Sequence, residues 1–352
     1  MKRYTLVVLA TIYLVSLGYG VSLASDKANW MEKAEAALKL AQSEIQLSPG
    51  DRNLLLLTNA GYGQVKTWST EGFLDLAHEV TGCSLGARNL LPVHASVLDP
   101  LWFALYRKDS GKMVFVKWIG SGFAIQLIDV SPNAIMTSKG WQEAQKGLIG
   151  PNLFSVVSIS LAWAVDPPWP LLLAATYHDH FCPGINSGYI AGQYVMEALT
   201  LSQGDRYVFA SAPAKCAADA LQVMFNTTSG KSAGYAMALG RKNLEEYASS
   251  GVKPMTVAMR INPKKDECTG LVLGFDWNKA FEATGVKPGE LAPKGGKSDP
   301  MFWVARVKMS RELARLPMEQ LNGMIVEMKS FSGPAALADQ IGSGDPYIMA
   351  FR

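Results

Sequence analysis

His178, His180 and Cys182 stand at alternate positions in His178-Asp179-His180-Phe181-Cys182-Pro183-Gly184. Two imidazoles and a thiol are groups that hold zinc, copper or nickel, and a thiolate is also a nucleophile. The chain has four His and four Cys in 352 residues, so three of these eight within five positions form a cluster. Alternate residues of an extended segment point the same way, so the three groups are expected to converge. Pro183 and Gly184 then stop the segment and start a helix whose bare N–H groups face that point. A thiol placed there, Cys182, is expected to have a lowered pKa. Cys216 opens a second predicted helix, where the macrodipole also favours a thiolate. Asp219 and Gln222 follow it on one face. Of the other thiols, Cys83 reads as a small buried residue or a further candidate, and Cys268 lies in a charged loop.

These residues need elements to position them. Leu171 to Thr176 reads as a buried strand leading into the cluster, and Tyr189 to Leu199 as the helix after it. Tyr207 to Ser211 is a predicted strand, Cys216 to Phe225 a helix, Met255 to Ile261 a strand, and Trp277 opens a helix. Upstream the order is similar. Trp30 to Ile45 has helical spacing, Asn53 to Thr58 is a buried strand, and Glu71 to Val80 is a helix. Trp102 to Tyr106 and Met113 to Ile119 pair as strands, and Trp141 begins a helix. Landmarks recur in order: Asp51 with Asp205, Asp75 with Asp219, Gly86 with Gly230, Ser110 with Ser250, Trp141 with Trp277. An ordered series of this kind predicts an internal duplication. Later, Met301 to Met309 is strand-like.

The cluster resembles the His-x-His-x-Cys-Pro-Gly signature of the FmdE family, named after a component of formylmethanofuran dehydrogenase. That family often has Gly where this chain has Asp179. Cys216-Ala217-Ala218-Asp219-Ala220-Leu221-Gln222 resembles the family's Cys-x-x-Asp-Ala-(Ile/Leu)-Gln helix. The family's following Gly-Cys-Thr turn is better kept upstream, at Gly82-Cys83-Ser84-Leu85-Gly86, than after the second helix. The resemblance implies two FmdE-like α+β units with a composite site between them, since family members are expected to pair. It also implies a metal ion, most naturally Zn²⁺, on His178, His180 and Cys182, with Cys216 as the fourth ligand. The small cysteine finger that ends some family members is absent, because no Cys follows Cys268.

Composition bounds the rest. Apolar residues make up 49% and charged residues 18%, a balance that supports packed cores. A net charge of +3 without a long basic run leaves no electrostatic footprint for nucleic acid. Standard hydrolase, zinc-protease and c-type haem motifs are missing. The sequence thus predicts an α+β fold: a signal peptide over 1–24, a degenerate FmdE-like unit over 25–150, the unit with the signature over 151–286, and a C-terminal extension over 287–352. The partners expected are a metal ion and an unidentified small molecule, with a membrane only if the N-terminal segment is uncleaved. Two rival readings accompany metal binding. One is a thiol-dependent enzyme with Cys182 as nucleophile or redox centre and His180 as its base; the other is a structural Cys182–Cys216 disulfide. Met1-Lys2-Arg3, the apolar run after it and Ser22-Leu23-Ala24 form an export signal with small residues at the cleavage site. N-terminal sequencing of protein from the exported compartment should therefore begin at Ser25; protein retaining Met1 in washed membranes contradicts cleavage.

Overall fold

The computed structural model describes residues 29–239 and 244–352, so the segment read as a signal peptide lies outside the described residues. The described residues form two compact units, one of residues 29–130 with 146–150 and one of residues 131–145 with 151–239 and 244–352. Both mix helices with antiparallel and parallel strands, an α+β architecture.

The first unit begins with helix α1 over 29–44. Ala34, Leu38 and Ala41 on it are fully buried, as their spacing of three and four requires of a helix with one apolar face. Strand β1 (Leu54–Thr58) is buried along its whole length. Helix α2 (Gly72–Thr81) follows and stops at Gly82, in the left-handed conformation with φ 71°. Strands β2 (Leu90–Pro92), β3 (Trp102–Arg107), β4 (Lys112–Trp118) and β5 (Phe123–Asp129) complete a five-stranded sheet of order β2-β1-β3-β4-β5. Only the β1–β2 pair is parallel. Phe73, Phe103, Leu105 and Leu38 meet in the core on the helical face of this sheet.

In the second unit, α3 (Leu153–Trp163) and α4 (Trp169–Tyr177) precede α5 (Pro183–Ala198). Strand β6 (Arg206–Ser211), helix α6 (Cys216–Phe225), and strands β7 (Gly234–Ala236), β8 (Pro254–Asn262) and β9 (Glu267–Phe275) follow. After helices α7 (Trp277–Thr284) and α8 (Pro300–Leu313), β10 (Ile325–Gly333) pairs with β9. The sheet order is β7-β6-β8-β9-β10, and only β6–β7 is parallel. The edge strand of this sheet therefore comes from the region read as a C-terminal extension.

The two sheets share one topology, down to register. In β1 and β3, Leu54 faces Arg107; in β6 and β8, Tyr207 faces Arg260. Each arginine ties down the end of the preceding helix. Arg107 Nη1 donates to the carbonyls of Ile45 and Gln46 at 2.9 and 2.8 Å, and Arg260 Nη1 to that of Thr200 at 3.0 Å. Helices α2 and α6 each have ten residues and an Asp in fourth place, Asp75 and Asp219. Two of the sequence landmarks do not correspond. Ser110 lies between β3 and β4, whereas Ser250 precedes β8; Trp141 comes after all five strands of the first sheet and belongs to the second unit, whereas Trp277 follows the fourth strand of its own sheet. The second unit places helices α7 and α8 between its fourth and fifth strands, where the first has a short turn, so linear order ceases to track topology there.

Two strand expectations are overturned. Leu171 to Thr176 lies within α4, and Met301 to Met309 within α8. A short continuous apolar run such as Leu171 to Ala175 carries no period, so it cannot separate strand from helix.

Helices α5 and α6 pack through a glycine face. Gly184, Gly188 and Gly192 recur every fourth residue, one above another on a helix. A Cβ at Gly188 would lie 2.5 Å from the Ala217 carbonyl oxygen and 2.8 Å from the Ala220 Cβ. At Gly192 it would meet the side chain of Met224 at 2.7 Å, which can swing aside. Gly188→Ala should therefore cost about 1–3 kcal/mol, and Gly192→Ala less, when compared by denaturant unfolding. Equal, negligible losses would contradict backbone-limited packing here.

Candidate metal centre

The cluster is built on a turn between two helices rather than on a strand. His178 caps the C-terminal end of α4, and Asp179 takes the left-handed conformation with φ 68°. Gly adopts this conformation freely, and Asp is one of the few other residues that tolerate it. Cys182 is then extended, φ −136° and ψ 164°, and Pro183 begins α5 in the first turn, where no N–H is needed.

Phe181 anchors the turn. Its side chain is wholly buried, a contribution of about 1.5–3 kcal/mol. Its N–H donates to Ser158 Oγ of α3 at 3.0 Å, and its carbonyl accepts from Ser310 Oγ of α8 at 3.4 Å. Asn186 Nδ2 donates to the carbonyls of Cys182 and Ser310 at 3.2 and 3.3 Å. The backbone between the ligands is thus satisfied by buried polar side chains of neighbouring helices, as a turn away from water must be. Ser155 Oγ donates to the Asp179 carbonyl.

The turn and α6 bring His178, His180, Cys182 and Cys216 together. One ligand atom from each lies within 4.8 Å of all the others, and this is the one such group among the described residues. The glycine face makes this possible: a Cβ at Gly184 would lie 2.8 Å from the Cys216 Cβ. Cys83 belongs to the first unit and is not one of the four clustered residues. It is buried, as is Cys268, and burial raises both thiols to about 11. All four cysteines are unbonded.

Carboxylates orient both imidazoles. His178 Nδ1 lies 2.6 Å from Asp219 Oδ2, and His180 Nδ1 lies 2.5 Å from Asp179 Oδ1. A carboxylate at Nδ1 holds the proton there and leaves Nε2 with its lone pair, the arrangement found behind metal-bound histidines. Nε2 of His178 is buried. Gln222 instead donates to the Tyr177 hydroxyl at 2.7 Å and takes no part in the cluster.

The thiols divide unequally. Cys216 is held well below the usual thiol range by the hydrogen bond from Cys182, which outweighs its burial, with further help from His178 and His180. Cys182 is pushed up, first because it donates to Cys216 and then because it is buried. The expectation of a lowered Cys182 is therefore reversed: of two sulfurs in contact, one carries the charge and the other donates to it. Burial opposes charge on His178, but the hydrogen bonds to Asp219 and Cys216 prevail and raise it to about 9. His180 is raised in the same way, burial being overcome by Asp179 and Cys216. Without a metal, the centre is a thiolate beside the His178 imidazolium; with one, its donor set is two nitrogens and two sulfurs.

Residues 177–284 match the sequence model of the FmdE family, described as the molybdenum formylmethanofuran dehydrogenase operon. The match spans all four clustered residues and Asp219, but neither α8 nor β10. No curated protein matches the chain.

In metal-free protein, iodoacetamide should label Cys216 first and still do so at pH 6, because a lowered thiol remains thiolate there. Cys83 and Cys268, buried and raised to about 11, should stay unlabelled. Peptide mass spectrometry reads the order, and labelling of Cys182 ahead of Cys216 contradicts the assignment.

Proposed function

We propose that this is an exported metal-binding protein that holds one Zn²⁺ on His178, His180, Cys182 and Cys216. The observation that carries the reading is the convergence of these four side chains, one ligand atom from each lying within 4.8 Å of all the others. Asp219 occupies Nδ1 of the His178 ring and so leaves Nε2 as the atom for a metal. Mixed imidazole and thiolate donors suit zinc, and also copper or nickel. Two thiolates and two neutral imidazoles would balance a divalent ion, and Asp179 and Asp219 would fix the ring orientations.

The export reading rests on the N-terminal basic and apolar segment. The shared topology of the sheets supports descent of both units from one ancestral unit, with metal ligands kept in the second alone. Gly72 opens α2 where Cys216 opens α6.

A second reading, thiol chemistry, is favoured by the contrast between the two sulfurs. On that reading Cys216, the lowered and more accessible one, is the nucleophile, and Cys182 hydrogen-bonds to it.

Metal analysis separates the two. Elemental analysis should find about one zinc per chain, lost in Cys182→Ser and Cys216→Ser. Asp219→Asn should weaken zinc about 10–100-fold. Zinc must displace the proton that His178 holds up to about pH 9. Its affinity should therefore rise with pH through the neutral range and fall on acidification. Metal-free protein with a single fast-reacting thiol supports the second reading instead.

A further inference from the structure

A cavity of about 620 Å³ lies in the second unit, and Cys182 and Cys216 form part of its wall. This size is that of sites for small organic molecules. Much of the remaining wall is apolar, including Met255, Phe275, Trp277 and Phe281. Arg306, from α8, also lines it.

Arg306 is half-buried and fixed. Its Nη1 donates to the carbonyls of Leu291 and Phe302 at 2.7 and 2.6 Å, and its guanidinium lies 3.3 Å from the centre of the Phe302 ring. Neither interaction neutralises it, and among the described residues no carboxylate forms an ion pair with it. Lys215, Lys253 and Asp276 line the same wall, and Lys253 pairs with Glu245. Beside so much apolar surface, a permanent cation without a counter-ion is costly. A divalent ion on two thiolates and two neutral imidazoles leaves the metal centre neutral, so that centre does not offset the Arg306 charge.

The same place in the first unit is also hollow. A cavity of about 300 Å³ is lined there by Trp30 and Lys33 of α1, by Trp68, and by Trp118. Trp118 ends the fourth strand of its sheet as Phe275 ends the fourth strand of the other. Aromatic walls beside a cation thus accompany this place in both sheets.

We propose that the cavity beside the metal centre binds a small organic monoanion, with its carboxylate on Arg306 and its apolar body against Trp277 and Phe281. The proposal rests on the metal reading for its charge count, so metal content and ligand binding are measured separately. The probes are phenylacetate and its neutral counterpart phenylacetamide, titrated by calorimetry into the full chain. Phenylacetate should bind about tenfold tighter or more, the worth of a charge-assisted hydrogen bond. Arg306→Gln should abolish that preference while retaining the zinc content of the parent. Equal affinities in the parent, or a preference that survives Arg306→Gln, would overturn the proposal. Loss of zinc from parent and variant alike would defeat the metal reading, and the titrations would still decide the anion site. Should Arg306→Gln fail to fold, a crystal structure with phenylacetate decides: a carboxylate away from the Arg306 guanidinium refutes the site.

Discussion

The close approach of α5 and α6 is the constraint on which the centre depends. Cys182 and Cys216 are far apart in sequence and sit at the starts of two different helices. Their sulfurs meet because Gly184 and Gly188 present no side chain to α6, so backbone lies nearly against backbone. An ordinary helix pair keeps its axes about 8–10 Å apart by interleaving side chains. Any Cβ at Gly188 must push against the Ala217 carbonyl, and the displacement is passed to the helix start one residue away. Packing and ligand geometry are thus one requirement here.

The polar network around the centre follows from burial. A turn that carries two imidazoles and a thiol into the interior exposes backbone groups that water cannot reach. Ser158, Asn186 and Ser310 supply those partners from three separate helices. The imidazoles need orientation as well, and Asp179 and Asp219 give it from two directions in sequence, one from the turn and one from α6. Asp179 serves twice. It tolerates the left-handed backbone that brings the ligands round, and its carboxylate fixes the ring of His180. Asp at this position is thereby explained by something the side chain does.

Much of this was legible in the sequence, for identifiable reasons. Helix α6 and strands β1 and β6 had clear periods or bounds, and the clustering of scarce His and Cys marked the centre without reference to a fold. The convergence of the ligands was anticipated but through the wrong geometry. Alternation suggested a strand, whereas a helix end, a left-handed residue and a helix start produce the same convergence. The largely apolar run Leu171 to Thr176 had no period to reveal α4. The thiol assignment failed because it is a pair property: helix starts favour both thiolates, and only contact between the sulfurs decides which is charged. The four-residue spacing of Gly184, Gly188 and Gly192 was present in the sequence as a signal of close helix packing. Arg306 carried no such signal, since its place in the wall depends on how α8 folds back over α5.

The two units separate what the scaffold requires from what the chemistry requires. Both keep the strand order, the arginine that ties the first helix to the third strand, and a ten-residue helix with Asp in fourth place. Those features stabilise the sheet and its helical layer whatever is bound there. In the first unit Asp75 is exposed and Gly72 stands where a thiol would be, so that helix presents no ligand at its start. In the second, the same fourth position holds the ring of His178, and Asp219 gains a purpose that Asp75 does not have. A scaffold residue becomes part of a centre when a neighbouring element brings it something to orient. For this chain that element is the turn from His178 to Cys182, and the metal chemistry follows the turn rather than the sheet.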